Sequence, residues 1–344
     1  MYNKDSLSSI IDKYNQFSIL VIGDIILDEY IWGKATRLSP EAPVPVLDVK
    51  KHSYILGGAA NVANNIYALN GKSMLCGIIG DDLYGEKFKE VLESAGMDSS
   101  HLITDSKRPT TVKTRLIAHN HQQLARVDRE QRESIDTVSE NKILNKVQEI
   151  INNIDLIVLS DYAKGVLTYS LCQSVIKLAK KHNKPVLVDP KGLDYSKYSG
   201  ATLITPNRLE AEVATKSPTD TLPEKLAKTL YDSLNIENIL VTLGEDGIIL
   251  YNDSDIIRIP AVTSEVYDVT GAGDSLLSAL ALSIPASGNN LEASIALGNY
   301  SAGVAVRKIG TTTVSPEELK NIIKHDLLEK PEAPVKHEKA ELFS

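Results

Sequence analysis

Six short runs of the 344-residue chain are almost wholly apolar: 18–23, 73–79, 156–160, 185–188, 202–204 and 238–242. Runs of this length, rich in Val, Ile and Leu, are how strands read when a sheet is covered on both faces. Between most of them apolar residues recur with helical period, as in 85–95, 139–153 and 170–182. This alternation predicts a three-layer α/β core with a mostly parallel sheet. Such sheets bind ligands beyond the carboxyl ends of their strands. The residues that follow the runs are Asp24, Gly80-Asp81, Asp161, Asp189-Pro190-Lys191, Pro206-Asn207 and Gly244-Glu245. That set is dense in polar groups, so the strand ends are expected to converge on a site.

Two regions break the pattern. Residues 29–37 with 44–55, and 110–128, alternate apolar and polar positions as half-exposed strands do. Neither is followed by a crossover helix. They predict a small projecting β-sheet, from about 25–55 and 108–129, that acts as a lid or a dimer contact. Residues 1–324 read as one domain. Residues 325–344 are charged and proline-bearing, with no core pattern, and read as a mobile tail.

The net charge of −8 and the lack of a basic run argue against a nucleic-acid partner. The polar, acid-bearing start of the chain is neither a signal peptide nor a membrane span. Cys76 and Cys172 sit far apart in apolar surroundings, so they read as buried thiols without a disulfide or a metal. These features predict a soluble, cytoplasmic protein. His119 and His121 are two apart on the predicted lid, but no third ligand lies near, and solvation there is a simpler reading than zinc.

The richest stretch is Asp268-Val269-Thr270-Gly271-Ala272-Gly273-Asp274, followed at once by an apolar helix. A helix start offers unpaired N–H groups and a positive dipole end, which attract anions. Glycines let the backbone approach closely, and Asp274 adds a carboxylate at the same spot. That combination suits proton abstraction from a hydroxyl attacking a phosphoryl group. An aspartate capping an ordinary helix is the competing reading of the motif alone. A second glycine pair, Gly57-Gly58, opens a helix carrying Asn61. Its amide can donate to and accept from sugar hydroxyls, whereas close helix packing by small residues is the alternative. No G-x-x-x-x-G-K-[ST] loop occurs, which argues against a P-loop kinase.

The stretches GGAANVANNIYALNG and DVTGAGDSLLSALA, in this order and widely separated, resemble the two signatures of the ribokinase-like carbohydrate kinases. The resemblance runs from about residue 17 to about residue 318. Finer features resemble one branch, the heptose 7-phosphate kinases of ADP-heptose and lipopolysaccharide core synthesis. They are VIGDIILDEYIWGKATRLSPEAPVPVLDV, TTVKTRLIAHNHQQLARVDRE, SDYAKGVLT, VDPKG, TPNRLEAE and GTTTVSPEEL. That branch carries the kinase alone or joined to a nucleotidyltransferase. Because the chain given ends at Ser344, the kinase activity alone is expected.

The resemblance implies ATP and Mg²⁺ as cofactors and a sugar phosphate as the other small-molecule partner. It implies Asp274 as general base, with the N–H groups of Gly271, Ala272 and Gly273 as an anion hole. Asn207-Arg208-Leu209-Glu210 matches the family's N-x-x-E element, in which Asn207 and Glu210 hold Mg²⁺ near the nucleotide. Lys191 suits a phosphate, Thr242, Gly244 and Glu245 a nucleotide wall, and Asn299 the adenine. Asp24 matches a position that binds sugar hydroxyls. Asp28 is either a second such carboxylate or a turn residue. Gly57, Gly58 and Asn61 complete the sugar side. A phosphate already on the sugar needs a cation, with Arg37, Lys113, Arg115, Arg126 and Lys164 as candidates. A homodimer through the β-lid is expected. A kinase of another sugar, or a catalytically silent member of the fold, is the alternative.

Overall fold

The computed structural model describes residues 4–119, 122–262, 266–329 and 335–337; His121 lies outside the described residues. All six residues of β1 (Ser18–Gly23) are buried. Successive side chains point to opposite faces, so Ile19 and Val21 enter one apolar core while Leu20 and Ile22 enter the other. Burial stabilises by about 1.5–3 kcal/mol for each such side chain, which is why both sheet faces must be covered.

Parallel to β1 run β4 (Lys72–Gly80), β5 (Leu102–Asp105), β8 (Leu156–Ser160), β9 (Val186–Asp189), β10 (Leu203–Ile204) and β11 (Asn238–Thr242). The antiparallel strands β12 (Ile248–Asn252), β13 (Ile256–Ile259) and β14 (Val335–His337) extend one edge. The order is β14-β13-β12-β11-β10-β9-β8-β1-β4-β5. On one face pack α2 (Ala59–Ala68), α8 (Ala272–Ala286) and α9 (Leu291–Ala305). On the other pack α4 (Thr137–Ile150), α5 (Tyr169–Lys181) and α7 (Pro223–Ser233). This is the expected three-layer α/β arrangement, a mostly parallel sheet covered on both faces.

A separate four-stranded sheet has the order β3-β2-β6-β7. It comprises β2 (Ile25–Leu38), β3 (Pro45–Gly58), β6 (Val112–Ile117) and β7 (Gln123–Arg129). Burial is graded along it: the first five residues of β2 and the last three of β3 are buried where they join the core, while β7 is almost wholly exposed. Its base is pinned to the core through Asp82. The Asp82 carboxylate accepts from the N–H of Thr110 at 2.9 Å and from its hydroxyl at 2.8 Å, and that hydroxyl accepts from the Gly80 N–H at 2.9 Å.

The segment read as a tail differs from expectation at its start. The last helix, α10 (Pro316–Glu329), passes residue 324, because Leu319, Ile322 and Ile323 anchor it in the core. The β14 strand then pairs with β13; residues 330–334 and 338–344 lie outside the described residues. Cys76 and Cys172 are free and buried, and burial pushes both thiols up to about 12. Among the described residues no helix is long and apolar enough to cross a membrane.

Candidate active site

Two glycine-opened helices build the site. Gly271 is the N-cap of α8, with φ +79°, a left-handed conformation that suits glycine. Asp274 is the third residue of that helix, so its carboxylate lies in the first turn, where the dipole favours negative charge. Gly58 is the N-cap of α2, with φ +59°, and a Cβ there would stand 2.4 Å from the Asp24 carbonyl oxygen. The glycine lets the chain turn from β3 into α2 and sets Asn61 in the first turn.

The two helices meet at Asn61 and Asp274. Asn61 Nδ2 donates to Asp274 Oδ2 at 2.5 Å, and the Tyr162 hydroxyl donates to Oδ1 at 2.8 Å. Behind Asn61, the Asn65 amide donates to its carbonyl at 3.0 Å, and the Ser275 hydroxyl donates to Asn65 Oδ1 at 3.3 Å. Burial raises the Asp274 carboxyl above the ordinary aspartate range, and the hydrogen bonds from Asn61 and Tyr162 oppose that rise. A carboxyl moved toward neutral pH while held by two donors is suited to take a proton.

A cavity of about 210 Å³ opens in front of Asp274. It is lined by Gly271 and Gly273 at the start of α8, by Asn207 and Glu210 at the start of the helix after β10, and by Tyr162, Asp189, Lys191, Thr205 and Thr242 at the strand ends. A Cβ on Gly273 would meet nothing within 4 Å, so the backbone there is open to the cavity. Burial raises Asp189 well above its ordinary range, and the nearby charges of Asp274 and Glu210 add to the effect.

Asn207 and Glu210 form a capping box at the start of α6 (Arg208–Thr215). The Glu210 N–H donates to Asn207 Oδ1, and the Asn207 N–H donates to Glu210 Oε2, both at 2.9 Å. The other Glu210 oxygen pairs with the Lys191 ammonium. Among the described residues no group of three or more His, Cys, Asp or Glu side chains forms a ready metal cage. The oxygens of Asn207 and Glu210 are hard donors with spare lone pairs. That set fits Mg²⁺, which keeps several waters and takes only one or two protein ligands beside phosphates.

Other expected site residues lie elsewhere. Asp24 is 1 % exposed, and its carboxylate accepts the backbone N–H groups of Tyr162, Lys164 and Val166 at 2.8, 3.0 and 3.1 Å. It clamps the loop after β8. The Ala272 N–H donates to the Val269 carbonyl at 3.2 Å. Arg208 is committed to Glu212 and the Thr219 carbonyl, and Leu209 points to solvent, so neither lines the cavity. Gly244 and Glu245 form an exposed turn beyond Thr242. The Asn299 amide donates to the Pro260 carbonyl at 2.8 Å and ties α9 to the strand edge, away from the cavity.

On the lid, Asp28 is buried and pairs with Arg115 at 2.5 Å. The Arg115 guanidinium lies over the Tyr30 ring, 5.1 Å from its centre. Gly57 leaves room for Asp28: a Cβ there would sit 2.3 Å from its Oδ2. Arg126 lies opposite Arg115 on β7 and forks onto Asp128 at 2.8 and 2.9 Å, while Lys164 pairs with Glu130 at 2.7 Å. Lys113, opposite Asp28 in register, is half-buried, and burial lowers its pKa against the attraction of Asp28.

Tyr162 and Thr205 were not assigned from sequence, and Asp189 was named only among the polar strand-end residues, without a role. Their shared signal is position, since each follows or ends a parallel strand.

The chain resembles several known proteins along most of its length. It is 48 % identical over 307 residues to the bifunctional protein HldE of Helicobacter pylori strain G27, covering 89 % of this chain and 66 % of that protein. The chain therefore spans a little under two thirds of that relative. The fold matches Escherichia coli phosphofructokinase-2, solved in complex with potassium, with a TM-score of 0.73 and 19 % identity over 90 % of this chain and 99 % of that one. It also matches Arabidopsis thaliana ribokinase, solved with ribose and ATP, with a TM-score of 0.69 and 20 % identity over 89 % and 98 %. The family model for pfkB family carbohydrate kinases matches residues 16–318, and the chain belongs to that family.

Proposed function

We propose that the protein is an ATP- and Mg²⁺-dependent kinase that phosphorylates the anomeric hydroxyl of D-glycero-D-manno-heptose 7-phosphate, giving the 1,7-bisphosphate. The observation that carries the reading is the placement of Asp274. It is 8 % exposed, held by Asn61 and Tyr162, and faces a cavity with the open helix start at Gly271 and Gly273. In this reading Asp274 takes the proton of the acceptor hydroxyl. The hydroxyl oxygen bonds to the γ-phosphorus as the bond to the β-phosphate oxygen breaks and ADP leaves. The N–H groups of Gly271 and Gly273 carry the phosphoryl charge. Lys191 neutralises nucleotide phosphates, and Asn207 and Glu210 would hold Mg²⁺, which supplies further neutralisation when bound.

Two features support a phosphorylated sugar. The stretches at 37–45 and 110–130 resemble the heptose 7-phosphate kinases, and the chain is 48 % identical to HldE of H. pylori. Arg115, Arg126 and Lys164 also lie near enough to Lys113 to act on its charge, a cluster of cations in a chain of net charge −8. A homodimer through the lid accords with exposed apolar side chains there, Leu38, Val49 and Val127. The test is ADP release across a panel of sugars and sugar phosphates. Turnover is expected with heptose 7-phosphate. Faster turnover with fructose, ribose or another sugar phosphate would reassign the substrate, and none with any sugar would favour a silent member of the fold.

A further inference from the structure

We propose that Tyr162 is a positioning residue for Asp274 and that Asp24 acts through it, by holding the loop that presents the Tyr162 hydroxyl. The inference rests on Asp274 as the base. The two donors on the Asp274 carboxylate come from opposite sides: Asn61 from α2 and Tyr162 from the loop after β8. Asn61 is rigid because its helix is buried. Tyr162 has no helix or strand to hold it, so its placement must be imposed by other contacts.

Two buried carboxylates impose it. Asp24, at the end of β1, spends both oxygens on the N–H groups of Tyr162, Lys164 and Val166. Asp161, 3 % exposed, accepts from the Ala163 N–H at 2.7 Å, the Lys197 ammonium at 2.5 Å and the Tyr198 hydroxyl at 2.6 Å. Between them Ala163 adopts φ +55°, a strained conformation for a residue with a Cβ. Such a residue persists where its surroundings over-determine it, and such sites cluster at functional centres. A carboxylate that holds three alternate N–H groups fixes the direction of the side chain that leaves the loop between them.

The consequence is chemical. Burial raises the Tyr162 phenol well above its ordinary range, with Asp274 adding to the effect, so the hydroxyl stays protonated and donates. A donor on an ionised carboxylate stabilises that form and keeps the base ready at lower pH. The other ionisable groups around Asp274 are Asp28 of the lid, Asp189 at the end of β9, and Lys191 and Glu210 across the cavity. They are the same in a Tyr162→Phe variant, so that variant isolates the hydroxyl.

The test follows the Asp274 carboxyl by carbon NMR in protein labelled with ¹³C-aspartate, the signal being assigned with Asp274→Asn. In Tyr162→Phe its titration is expected to move up by about one pH unit. The acid limb of the kcat/KM profile should move with it. An unmoved titration overturns the proposal. Asp24→Asn should shift the titration in the same direction, and the double variant should shift it no further than Tyr162→Phe; additive shifts would overturn the link through Asp24. Tyr162→Phe removes one oxygen and carries the test even where Asp24→Asn does not fold. Wild-type turnover in Asp274→Asn would sink the base reading instead, separately from the titration.

Discussion

Asn61 and Asp274 lie 213 positions apart in the chain and meet through a 2.5 Å hydrogen bond from amide to carboxylate. Each is the third residue of a helix opened by a glycine of positive φ. The two motifs that stand out in the sequence are therefore one structure. The Asn61 amide fixes the rotamer of the Asp274 carboxylate, and Asn65 fixes Asn61.

The first prediction concerns Gly57. A Cβ at this position would overlap Asp28 Oδ2, so Gly57→Ala must displace the carboxylate that pairs with Arg115. Steady-state kinetics should show KM for the sugar phosphate raised about tenfold, the loss of one charge-assisted hydrogen bond, with KM for ATP unchanged. An unchanged KM for the sugar would remove Asp28 and Arg115 from the acceptor site.

Glu210 combines a cap with a proposed metal ligand, and two substitutions separate these roles. Glu210→Gln keeps an acceptor for the Asn207 N–H, whereas Glu210→Ala loses the box. Only Glu210→Ala should lose stability, by about 1 kcal/mol in denaturant unfolding. Both should raise the Mg²⁺ concentration needed for half-maximal velocity. A normal Mg²⁺ requirement in Glu210→Gln would leave the residue a cap alone.

Stability should also report the burial of Asp274. Its pKa in the fold is raised above the ordinary aspartate value of about 3.9, chiefly by desolvation. Such a group gives stability that is fully present below the unfolded value and lost as pH rises through the folded value. The buried Asp24 and Asp189 act in the same direction, while Asp82, Asp128 and Asp268, which are lowered, lose their contribution as pH falls. Comparing Asp274→Asn with the wild type isolates one group. Thermal unfolding should show the variant gaining on the wild type by about 2 °C as pH rises from about 4 to 8. A difference that does not change with pH would mean that Asp274 is not raised in the fold.

Much of this architecture is legible in the chain because the buried parallel strands are apolar on both faces, as in β1. The antiparallel edge of β12 and β13 was not, since its short strands lack the crossover helices that mark parallel pairs. At the site, Asp274 and Gly271 are visible because a helix start constrains its own neighbours. Tyr162 is not, because its partner is 112 positions away and its loop is shaped by Asp24 rather than by local sequence. The same distance hides the partners of Asp24 and Asn299. Each sits at an element that borders the site, but its polar atoms are spent on backbone groups that only the folded chain brings near.

The most direct measurement is the turnover of Asp274→Asn at saturating ATP and heptose 7-phosphate, with ATP affinity measured in parallel by calorimetry. Loss of the general base should lower kcat by about 10²–10⁴-fold while ATP binds as in the wild type. Turnover close to wild type would contradict Asp274 as the base that takes the acceptor proton.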